Sequence, residues 1–321
     1  MSSANAAKRI LVVGGNGFLG SAVCRMAMAK GMQVTSVSSS GLPWRTPKGH
    51  TPAWVKNVEW RKADVLADKR AAFEDVLASS PPFGAVVHTL GTLLEDGEYK
   101  QSVRDSNPLA LLKNLFPGTR NPLKRDARWS YETMNRQSVL NVLSDTLATR
   151  KPRPEDKFAF VFASAEDIFR PLIPEGYIAS KRAAERDIAA TIAKEGAHVR
   201  SVFARPSFMY HPHWRPLSTP PAALLDLFVK LERGAPRGMP TPASIMRSLA
   251  SSGNGPSDLP SALASVANAL TIPPMHVDHV AEAIVRAVND ETVSGPLDVV
   301  QMRDLIGWSL KGAEPTAQVV S

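Results

Sequence analysis

Residues 10–20 read ILVVGGNGFLG, an apolar run followed directly by glycines at positions 14, 17 and 20. The apolar run predicts a buried strand, and the pattern after the turn predicts a helix over about 18–30. In such a unit the first glycine permits a tight turn, the second lets the backbone approach a pyrophosphate and the third allows close helix packing. Free N–H groups at the helix start then face the anion. The predicted cofactor contacts are Gly14, Asn16, Gly17, Phe18, Leu19 and Gly20.

Strands and helices continue to alternate along the chain as far as residue 204. The further predicted strands are 33–37, 58–60, 85–88, 158–163 and 199–204, and the predicted helices include about 131–148 and 177–195. Nearly continuous apolar strands separated by helices are typical of a parallel sheet covered on both faces. The sequence therefore predicts a doubly wound α/β fold of the Rossmann type. The alternative for the glycine turn is inherited architecture that holds no nucleotide.

The composition changes at Arg205, where closely spaced prolines begin to interrupt the pattern. We therefore expect residues 1–205 to form a dinucleotide-binding domain and residues 206–275 to form a small lobe. Two apolar helices, at about 222–232 and 261–270, are expected in that lobe. The chain should return to the first domain over residues 276–321, with a helix at 278–289 and a last strand near 297–300.

The overall composition is that of a soluble globular protein, with 321 residues, 44% hydrophobic and 21% charged. A net charge of +8 permits phosphorylated ligands, anionic lipid or nucleic acid as partners. The basic stretch between Lys113 and Arg128 lacks the interleaved aromatic residues of single-strand binders, so we expect no nucleic-acid partner. The single cysteine, Cys24, lies in an apolar helical pattern and is expected to be buried and inert. No spacing of residues suggests a metal site.

The segment after the second strand bears on the choice of cofactor. NAD-selective sites place an acidic residue there to bind the ribose hydroxyls. This chain instead has Ser38, Ser39 and Ser40, followed by the cations Arg45 and Lys48. Hydroxyl groups and nearby positive charge suit a 2′-phosphate, which favours NADP. NAD stays open as the alternative, with the serines then forming only a turn.

Two later segments are placed to hold other parts of the same cofactor. Asp64 and Val65 follow the third strand, where a carboxylate could bond the adenine ring and an apolar side chain could pack on it. Residues after the fourth strand would run along the middle of the cofactor. They are Thr89, Leu90 and Gly91.

Tyr177 and Lys181 stand one helical turn apart, and Ser164 ends the strand 13 residues before the tyrosine. A phenol with a pKa near ~10 is a poor acid or base at neutral pH, and a nearby ammonium lowers that pKa. A serine hydroxyl can polarise a carbonyl while hydride arrives from a nicotinamide. The three residues are therefore the predicted catalytic group, and Tyr177 and Lys181 are also expected to contact the cofactor.

These motifs together resemble the short-chain dehydrogenase/reductase superfamily, in its extended or atypical branch, over nearly the whole chain. The resemblance implies that Asn135 helps to hold a proton-relay water. It also implies that Arg205, Pro206 and Phe208, in the segment RPSFM, pack beside the nicotinamide. The segment PMHVDHVA at 274–281 resembles a late signature of the superfamily, in which His276 and Asp278 are structural rather than catalytic.

Within that branch, the segments at 86–94, 121–124, 131–135 and 176–181 are similar to atypical dehydrogenases of fungal mitochondria that accompany the coenzyme Q biosynthetic complex. This group is related to the nucleotide-binding accessory subunit of respiratory complex I. The resemblance implies work on a ubiquinone precursor, partner proteins from the coenzyme Q complex and a peripheral place on the matrix side of the inner mitochondrial membrane.

Two departures from ordinary reductases leave the function open. Residues 93–127 form a long basic excursion that could cover the site or dock a partner. The 222–232 helix is apolar nearly all round. Either its side chains pack in the core, or some of them form an apolar surface for a polyprenylated quinone precursor or a membrane. The chain is accordingly expected to be an NADP-dependent oxidoreductase or a nucleotide-bound scaffold subunit without catalysis.

Overall fold

The computed structural model describes residues 8–79, 81–92, 130–150, 158–168, 170, 173–195, 198–236, 238–250 and 260–308. The basic stretch from Lys113 to Arg128, the excursion at 93–127 and the glycine-containing segment at 251–255 lie outside the described residues.

The described strands form one large sheet and one small one. They are β1 (Arg9–Val13), β2 (Gln33–Ser38), β3 (Glu59–Lys62), β4 (Ala85–His88), β5 (Phe158–Ala163), β6 (Val199–Ala204), β7 (Met209–Tyr210), β8 (Met275–His276) and β9 (Gly295–Leu297). The large sheet has the order β3-β2-β1-β4-β5-β6-β9, and all its neighbouring strands run parallel. This confirms the predicted doubly wound α/β fold. The strand order reverses between β1 and β4, and such a switch point opens a crevice at the carboxyl ends of the two strands.

Helices cover both faces of the sheet. They are α1 (Phe18–Ala29), α2 (Ala71–Leu77), α3 (Ser138–Thr149), α4 (Glu175–Ile192), α5 (Thr219–Gly234), α6 (Pro242–Ala250), α7 (Ala262–Thr271), α8 (Val277–Asn289) and α9 (Val299–Leu305). Ile10 and Val12 pack with α1 and α8, while Leu11 and Val13 pack with α2, α3 and α4. This alternation follows from the two-residue period of a strand, and it buries β1 on both faces. Cys24 is fully buried, and burial raises the pKa of its thiol.

The sequence placed β4, β5 and β6 at their observed bounds, but the last strand lies at Gly295–Leu297 rather than near 297–300. The strand ends at Leu297 and Asp298 caps α9 instead. The Asp298 carboxylate accepts from the Gln301 backbone N–H at 2.8 Å, and the Gln301 side chain accepts from the Asp298 backbone N–H at 2.9 Å. This reciprocal capping box starts a helix at Val299 although valines favour strands.

Other boundaries also differ from the sequence-based prediction. The third strand runs over Glu59–Lys62 rather than 58–60, and α2 and α6 were not predicted. The predicted helix at 131–148 is interrupted, because Glu132–Gln137 form a π-helical turn before α3 begins. Such turns are rare and often lie at functional sites.

Helices α5, α6 and α7 lie between β7 and β8 in the chain, with α5 and α6 both packed on α7, and we call these three helices the lobe. In the loop after β5, the Arg170 guanidinium donates to the Asp167 carboxylate at 2.8 and 2.7 Å, and the Arg170 backbone N–H donates to Ser265 Oγ of α7 at 2.9 Å, which connects the loop to the lobe. Ser265 of α7 donates to the same carboxylate at 2.8 Å. None of the described helices has both the length and the apolar character needed to cross a bilayer.

Candidate functional site

The glycine turn lies at the switch point, between the carboxyl ends of β1 and β4. Gly14 has φ +89°, a left-handed conformation that favours glycine. A Cβ on Gly20 would lie 2.2 Å from the Gly14 carbonyl oxygen, so only glycine lets α1 start this close to the turn. Asn16 and Gly17 are exposed at the mouth, Phe18 is half-buried and Leu19 is buried. The close backbone and the free N–H groups at the start of α1 fit the pyrophosphate of a dinucleotide.

The serine segment after β2 is attached to the glycine turn. Asn16 Nδ2 donates to Ser40 Oγ at 3.2 Å, and Ser38 Oγ accepts from the Gly41 N–H at 3.1 Å. Ser39 and Ser40 are exposed, and so is Arg45 a few residues further on. The hydroxyl groups therefore lie beside the exposed turn, where the adenosine end of a dinucleotide would be held.

Lys62, which no sequence motif indicates, lies beside the same segment. Lys62 ends β3 as the register partner of Ser38, so the two side chains leave the same face of the sheet. Gly41 has φ +67°, and a Cβ there would lie 2.6 Å from Lys62 Cβ. The serine segment thus passes directly over this exposed lysine. Only the strand pairing brings the two segments together, since they lie more than twenty residues apart in sequence.

The predicted adenine-binding pair has two different environments. Asp64 is half-buried, and its Oδ1 accepts from the Leu66 N–H at 3.0 Å. Val65 has only 3% of its surface exposed and packs in the core, and its carbonyl accepts from Asn141 Nδ2 at 2.9 Å. Asp64 thus stays partly accessible, whereas the Val65 side chain packs on core residues.

The segment after β4 joins the glycine turn to the predicted catalytic residues. Both the N–H and the hydroxyl of Thr89 donate to the Val13 carbonyl at 2.9 Å, and Leu90 packs against Gly14. A Cβ on Gly91 would lie 3.0 Å from both Asn135 Oδ1 and Lys181 Nζ. The absence of a side chain at Gly91 therefore lets both polar groups approach the middle of the crevice.

Lys181 is buried at the carboxyl end of β5. Its side chain extends from α4, and Nζ donates to the Ala163 carbonyl at 2.8 Å and lies 4.6 Å from the centre of the Phe162 ring. Burial lowers the pKa of Lys181 to about 7, although the negative charge of Glu185 raises it in part. Tyr177 lies one turn earlier on α4, half-buried, with its ring edge-to-face with Tyr131. The helix thus brings a phenol and a buried amine to the same end of the sheet.

The burial of Lys181 predicts a dependence of stability on pH. Because the folded-state pKa is about 7 and the unfolded value is 10.5, the unfolded chain binds more protons between these two values. The free energy of unfolding should therefore rise as pH increases through this window, by up to about 1.4 kcal/mol per pH unit. Urea unfolding across the window should give a smaller slope for Lys181→Met, and an unchanged slope for the exposed control Lys230→Met. An identical slope for Lys181→Met and the parent chain would contradict this prediction.

Asn135 is fully buried within the π-helical turn and connects three parts of the site. Its Oδ1 accepts from the Thr92 N–H at 2.9 Å, and its Nδ2 donates to the Thr92 carbonyl at 3.3 Å and to Ser180 Oγ at 3.1 Å. The side chain therefore joins the segment after β4 to α4, the helix of Tyr177 and Lys181. These bonds fix the position of α4 relative to the crevice.

Ser164 has a partner that the sequence did not suggest. It is buried at the end of β5, and its Oγ accepts from Arg182 Nη1 at 3.2 Å. Arg182 also donates to the Ala165 carbonyl and pairs with Glu185 at 2.9 Å. Accepting this bond leaves the serine hydroxyl hydrogen able to point toward a substrate carbonyl.

The segment after β6 lies at the far side of the crevice. Arg205 forms an ion pair with Glu185, which raises the pKa of the guanidinium. The carbonyl of Pro206 accepts from the Glu166 N–H at 2.9 Å, and that of Phe208 accepts from the Met275 N–H at 2.9 Å. Arg205 thus pairs with α4, and Phe208 is half-buried.

A second polar cluster forms where β7 and β8 meet the start of α8. His211, His276 and Asp278 lie with ligand atoms within 4.8 Å of one another. His211 Nδ1 accepts from the His213 and Trp214 N–H groups, and His276 Nδ1 accepts from the Asp278 N–H and so caps α8. Arg25 pairs with Asp278 at 2.5 Å. Because both Nδ1 atoms accept backbone hydrogens and a guanidinium already neutralises the carboxylate, this cluster suits a structural role better than a metal.

Comparison with known families agrees with this geometry. The model of the NAD dependent epimerase/dehydratase family matches residues 10–247, which is most of the chain and includes the glycine turn, Asn135, Tyr177 and Lys181. The chain belongs to the NAD dependent epimerase/dehydratase family. The resemblance to the short-chain dehydrogenase/reductase superfamily is thereby confirmed, and a nicotinamide dinucleotide is the cofactor class that the description of the family names.

Proteins of similar sequence include two relatives of this family member. MIOREX complex component 2 of Saccharomyces cerevisiae is 36% identical over 215 residues, covering 64% of this chain and 74% of the yeast protein. An uncharacterized chloroplastic protein of Arabidopsis thaliana is 25% identical over 300 residues, covering 92% of this chain and 77% of the plant protein. The yeast relative is by its name a component of a larger assembly.

Solved structures support the fold of this epimerase/dehydratase family member. An oxidoreductase of the short chain dehydrogenase/reductase family from Burkholderia thailandensis matches with a TM-score of 0.53 at 16% identity, covering 95% of this chain and 99% of that one. The aldohexose dehydrogenase of Thermoplasma acidophilum matches with a TM-score of 0.51 at 14% identity, covering 92% and 94%. At these identities the likeness establishes the fold alone.

Proposed function

We propose that this chain is an NADP-dependent oxidoreductase acting on a carbonyl or hydroxyl group. The observation that carries the proposal is the arrangement of Tyr177 and Lys181 on α4, beside the crevice that the glycine turn opens. Lys181 Nζ is anchored to Ala163 at the end of β5 and approaches Gly91, whose missing side chain leaves room for it. A redox-active nicotinamide, when bound, donates or accepts hydride in this crevice.

Each predicted catalytic residue has a separate task in this proposal. Tyr177 gives or takes the proton at the substrate oxygen, and the ammonium form of Lys181 favours the phenolate and contacts the nicotinamide ribose. Ser164 Oγ accepts a hydrogen bond from Arg182 and donates its own hydroxyl hydrogen to polarise the substrate carbonyl. Asn135 keeps α4 in register with the segment after β4 and anchors the proton relay.

Selectivity for NADP over NAD rests on the serine segment and the neighbouring cations. Ser39 and Ser40 present hydroxyl groups, while Arg45 and Lys62 are exposed and have no carboxylate partner among the ion pairs of the described residues. A 2′-phosphate would accept from these groups. A ribose hydroxyl would find no acidic acceptor at the end of β2.

Nucleotide binding gives the first test of the proposal. NADPH at ~100 times its Kd should add about 2.7 kcal/mol to the free energy of unfolding and raise the melting temperature, with a smaller effect of NADH. Loss of one charge-assisted bond in Lys62→Gln should weaken NADPH binding by about tenfold and leave NADH binding unchanged. Lys56→Gln, an exposed lysine outside the serine segment, serves as the control. An absence of any melting shift with both nucleotides would contradict the proposal.

The substrate, partners and location are proposed from the resemblance and from the yeast relative. We place the activity in ubiquinone biosynthesis, on a polyprenylated ring precursor whose keto or hydroxyl group reacts at Tyr177. The partners are proteins of the coenzyme Q biosynthetic complex, at a peripheral position on the matrix side of the inner mitochondrial membrane. The name of the yeast relative, a complex component, supports the idea of an assembly partner. Purified chain should consume NADPH in the presence of quinone-ring precursors with a ring carbonyl.

A second function is a nucleotide-bound scaffold subunit of such a complex, or of respiratory complex I, without turnover. The name of the yeast relative favours this alternative, because it describes a complex component rather than a reaction. Under this alternative, quinone production in cells would depend on the folded chain and not on the hydroxyl of Tyr177.

A further inference from the structure

Tyr131 stands directly before the π-helical turn, and its ring lies against the ring of Tyr177. The two ring centres are 6.1 Å apart and the ring planes meet at 66°, so the edge of one ring approaches the face of the other. Both side chains are half-buried. Aromatic pairs prefer this edge-to-face geometry, and they gain stability from it beyond the burial of their surface. The contact therefore restricts the directions in which the Tyr177 ring can point.

The close approach of Tyr131 depends on Gly176, the second residue of α4. A Cβ at this position would lie 3.1 Å from Tyr131 Cδ2 and 3.5 Å from Cε2, so it would displace the ring by a few tenths of an ångström. Alanine is the better helix former at such a position. The glycine thus costs helix stability, and in exchange it leaves room for the Tyr131 ring beside Tyr177.

Other contacts of the π-helical turn hold the main chain of α4. Ser180 Oγ donates to the Tyr177 carbonyl at 2.8 Å and accepts from Asn135 Nδ2 at 3.1 Å. Arg136 of the same turn pairs with Asp187, further along α4, at 2.6 Å. These bonds locate the backbone that carries Tyr177, whereas the contact with Tyr131 acts on its side chain. One segment of the chain thus fixes both parts of the predicted acid/base.

We propose that Tyr131 is a positioning residue, whose ring holds the phenol of Tyr177 in the orientation that proton exchange with the substrate requires. The inference rests on the proposed function, because Tyr131 acts only through Tyr177. A general acid must lie within hydrogen-bond reach of the atom that it protonates. The hydroxyl is at the far end of the ring, so rotation about the Cα–Cβ bond displaces it strongly. A misplacement of about 1 Å can cost about 10²-fold in rate.

Turnover of the full chain tests the role of the ring, with menadione as the carbonyl probe. Tyr131→Leu should lower kcat for NADPH oxidation by at least about tenfold, because the orientation of the phenol is no longer enforced. KM and the NADPH-dependent melting shift should not change. Tyr131→Phe keeps the ring and should recover most of the lost rate. The matched control is Trp308→Leu, which removes a 52% exposed ring that contacts His279, and it should turn over like the parent chain.

Gly176→Ala separates positioning from stability. The added Cβ should displace the Tyr131 ring and lower kcat by about threefold or more. The same variant should melt at or above the temperature of the parent chain, since alanine favours the helix. A fall in kcat without a fall in melting temperature cannot come from general loosening of the fold.

NMR of the full chain with isotope-labelled tyrosine rings tests the contact without any turnover. The Tyr177 signal is identified by its loss in Tyr177→Phe. It should shift in Tyr131→Leu and in Gly176→Ala, because the neighbouring ring no longer occupies its place, and it should not shift in Trp308→Leu. An unchanged Tyr177 signal in Tyr131→Leu would overturn the inference.

The kinetic outcomes distinguish this inference from the proposed function. Parent-level kcat in Tyr131→Leu, beside lost turnover in Tyr177→Phe, would overturn the inference and leave the proposed function standing. A changed KM with unchanged kcat would assign Tyr131 to ligand binding and would also overturn it. Parent-level turnover in Tyr177→Phe would contradict the proposed function, and the positioning role would fall with it.

Discussion

Replacing Tyr177 with phenylalanine should abolish turnover while the affinity for NADPH stays unchanged. The substitution keeps the ring and its edge-to-face contact with Tyr131, and it removes only the hydroxyl that exchanges a proton with the substrate. General acid–base catalysis by one positioned group contributes about 10²–10⁴-fold to a rate, so the loss should be at least of that order. The measurement is the rate of NADPH consumption with a quinone-ring precursor, beside the NADPH-dependent melting shift.

Tyr210→Phe is the matched control, because it removes a phenol hydroxyl from β7 without touching α4. Turnover in Tyr177→Phe at the rate of the parent chain would show that the assignment of the acid/base is wrong. Expression of Tyr177→Phe in cells separates the two candidate functions. Restored quinone production by that variant would favour the scaffold subunit, and loss of production would exclude it.

The sheet could be predicted from the sequence because its interior strands carry their own signal. The segments over β4 and β5 are short apolar runs that are buried throughout, and β6 is buried at four of its six residues, so length and composition located them. The glycine turn could be predicted for the same local reason, since Gly14 and Gly20 meet steric demands within one strand–turn–helix unit. Local chemistry also explains the failure after Leu297, where the capping box of Asp298 outweighed the strand preference of the valines that follow.

Several parts of the site depend on contacts that no local pattern contains. Lys62 reaches the serine segment only because β3 pairs with β2, and His211 meets His276 only because β7 pairs with β8. The π-helical turn at Asn135 accompanies bonds to Thr92 and Ser180, which lie more than forty residues away in each direction. The role of Arg182 also depends on packing, since its bond to Ser164 joins α4 to the end of β5. Pairings of this kind become visible only when the elements are packed.

Replacing Gly20 with alanine should eliminate the NADPH-dependent melting shift and destabilise the chain. The new Cβ would lie 2.2 Å from the Gly14 carbonyl oxygen and 2.7 Å from Thr89 Oγ1, both far inside contact distance. The carbonyl cannot retreat, because Gly14 donates to Val37 and accepts from Gly17 through backbone bonds of 2.8 and 2.9 Å. Overpacking of this kind costs about 1–3 kcal/mol, and the displaced turn would no longer present its N–H groups to a pyrophosphate.

The matched control is Gly234→Ala, a glycine at the other end of a helix, where an added Cβ meets nothing within 4 Å. That variant should melt at or above the temperature of the parent chain, since alanine restricts the unfolded chain more than glycine does. Urea unfolding with and without NADPH measures both effects on each variant. A Gly20→Ala chain that keeps its stability and its NADPH shift would show that α1 can move away from the turn. The crevice between β1 and β4 would then not be the part of this protein that recognises the nucleotide.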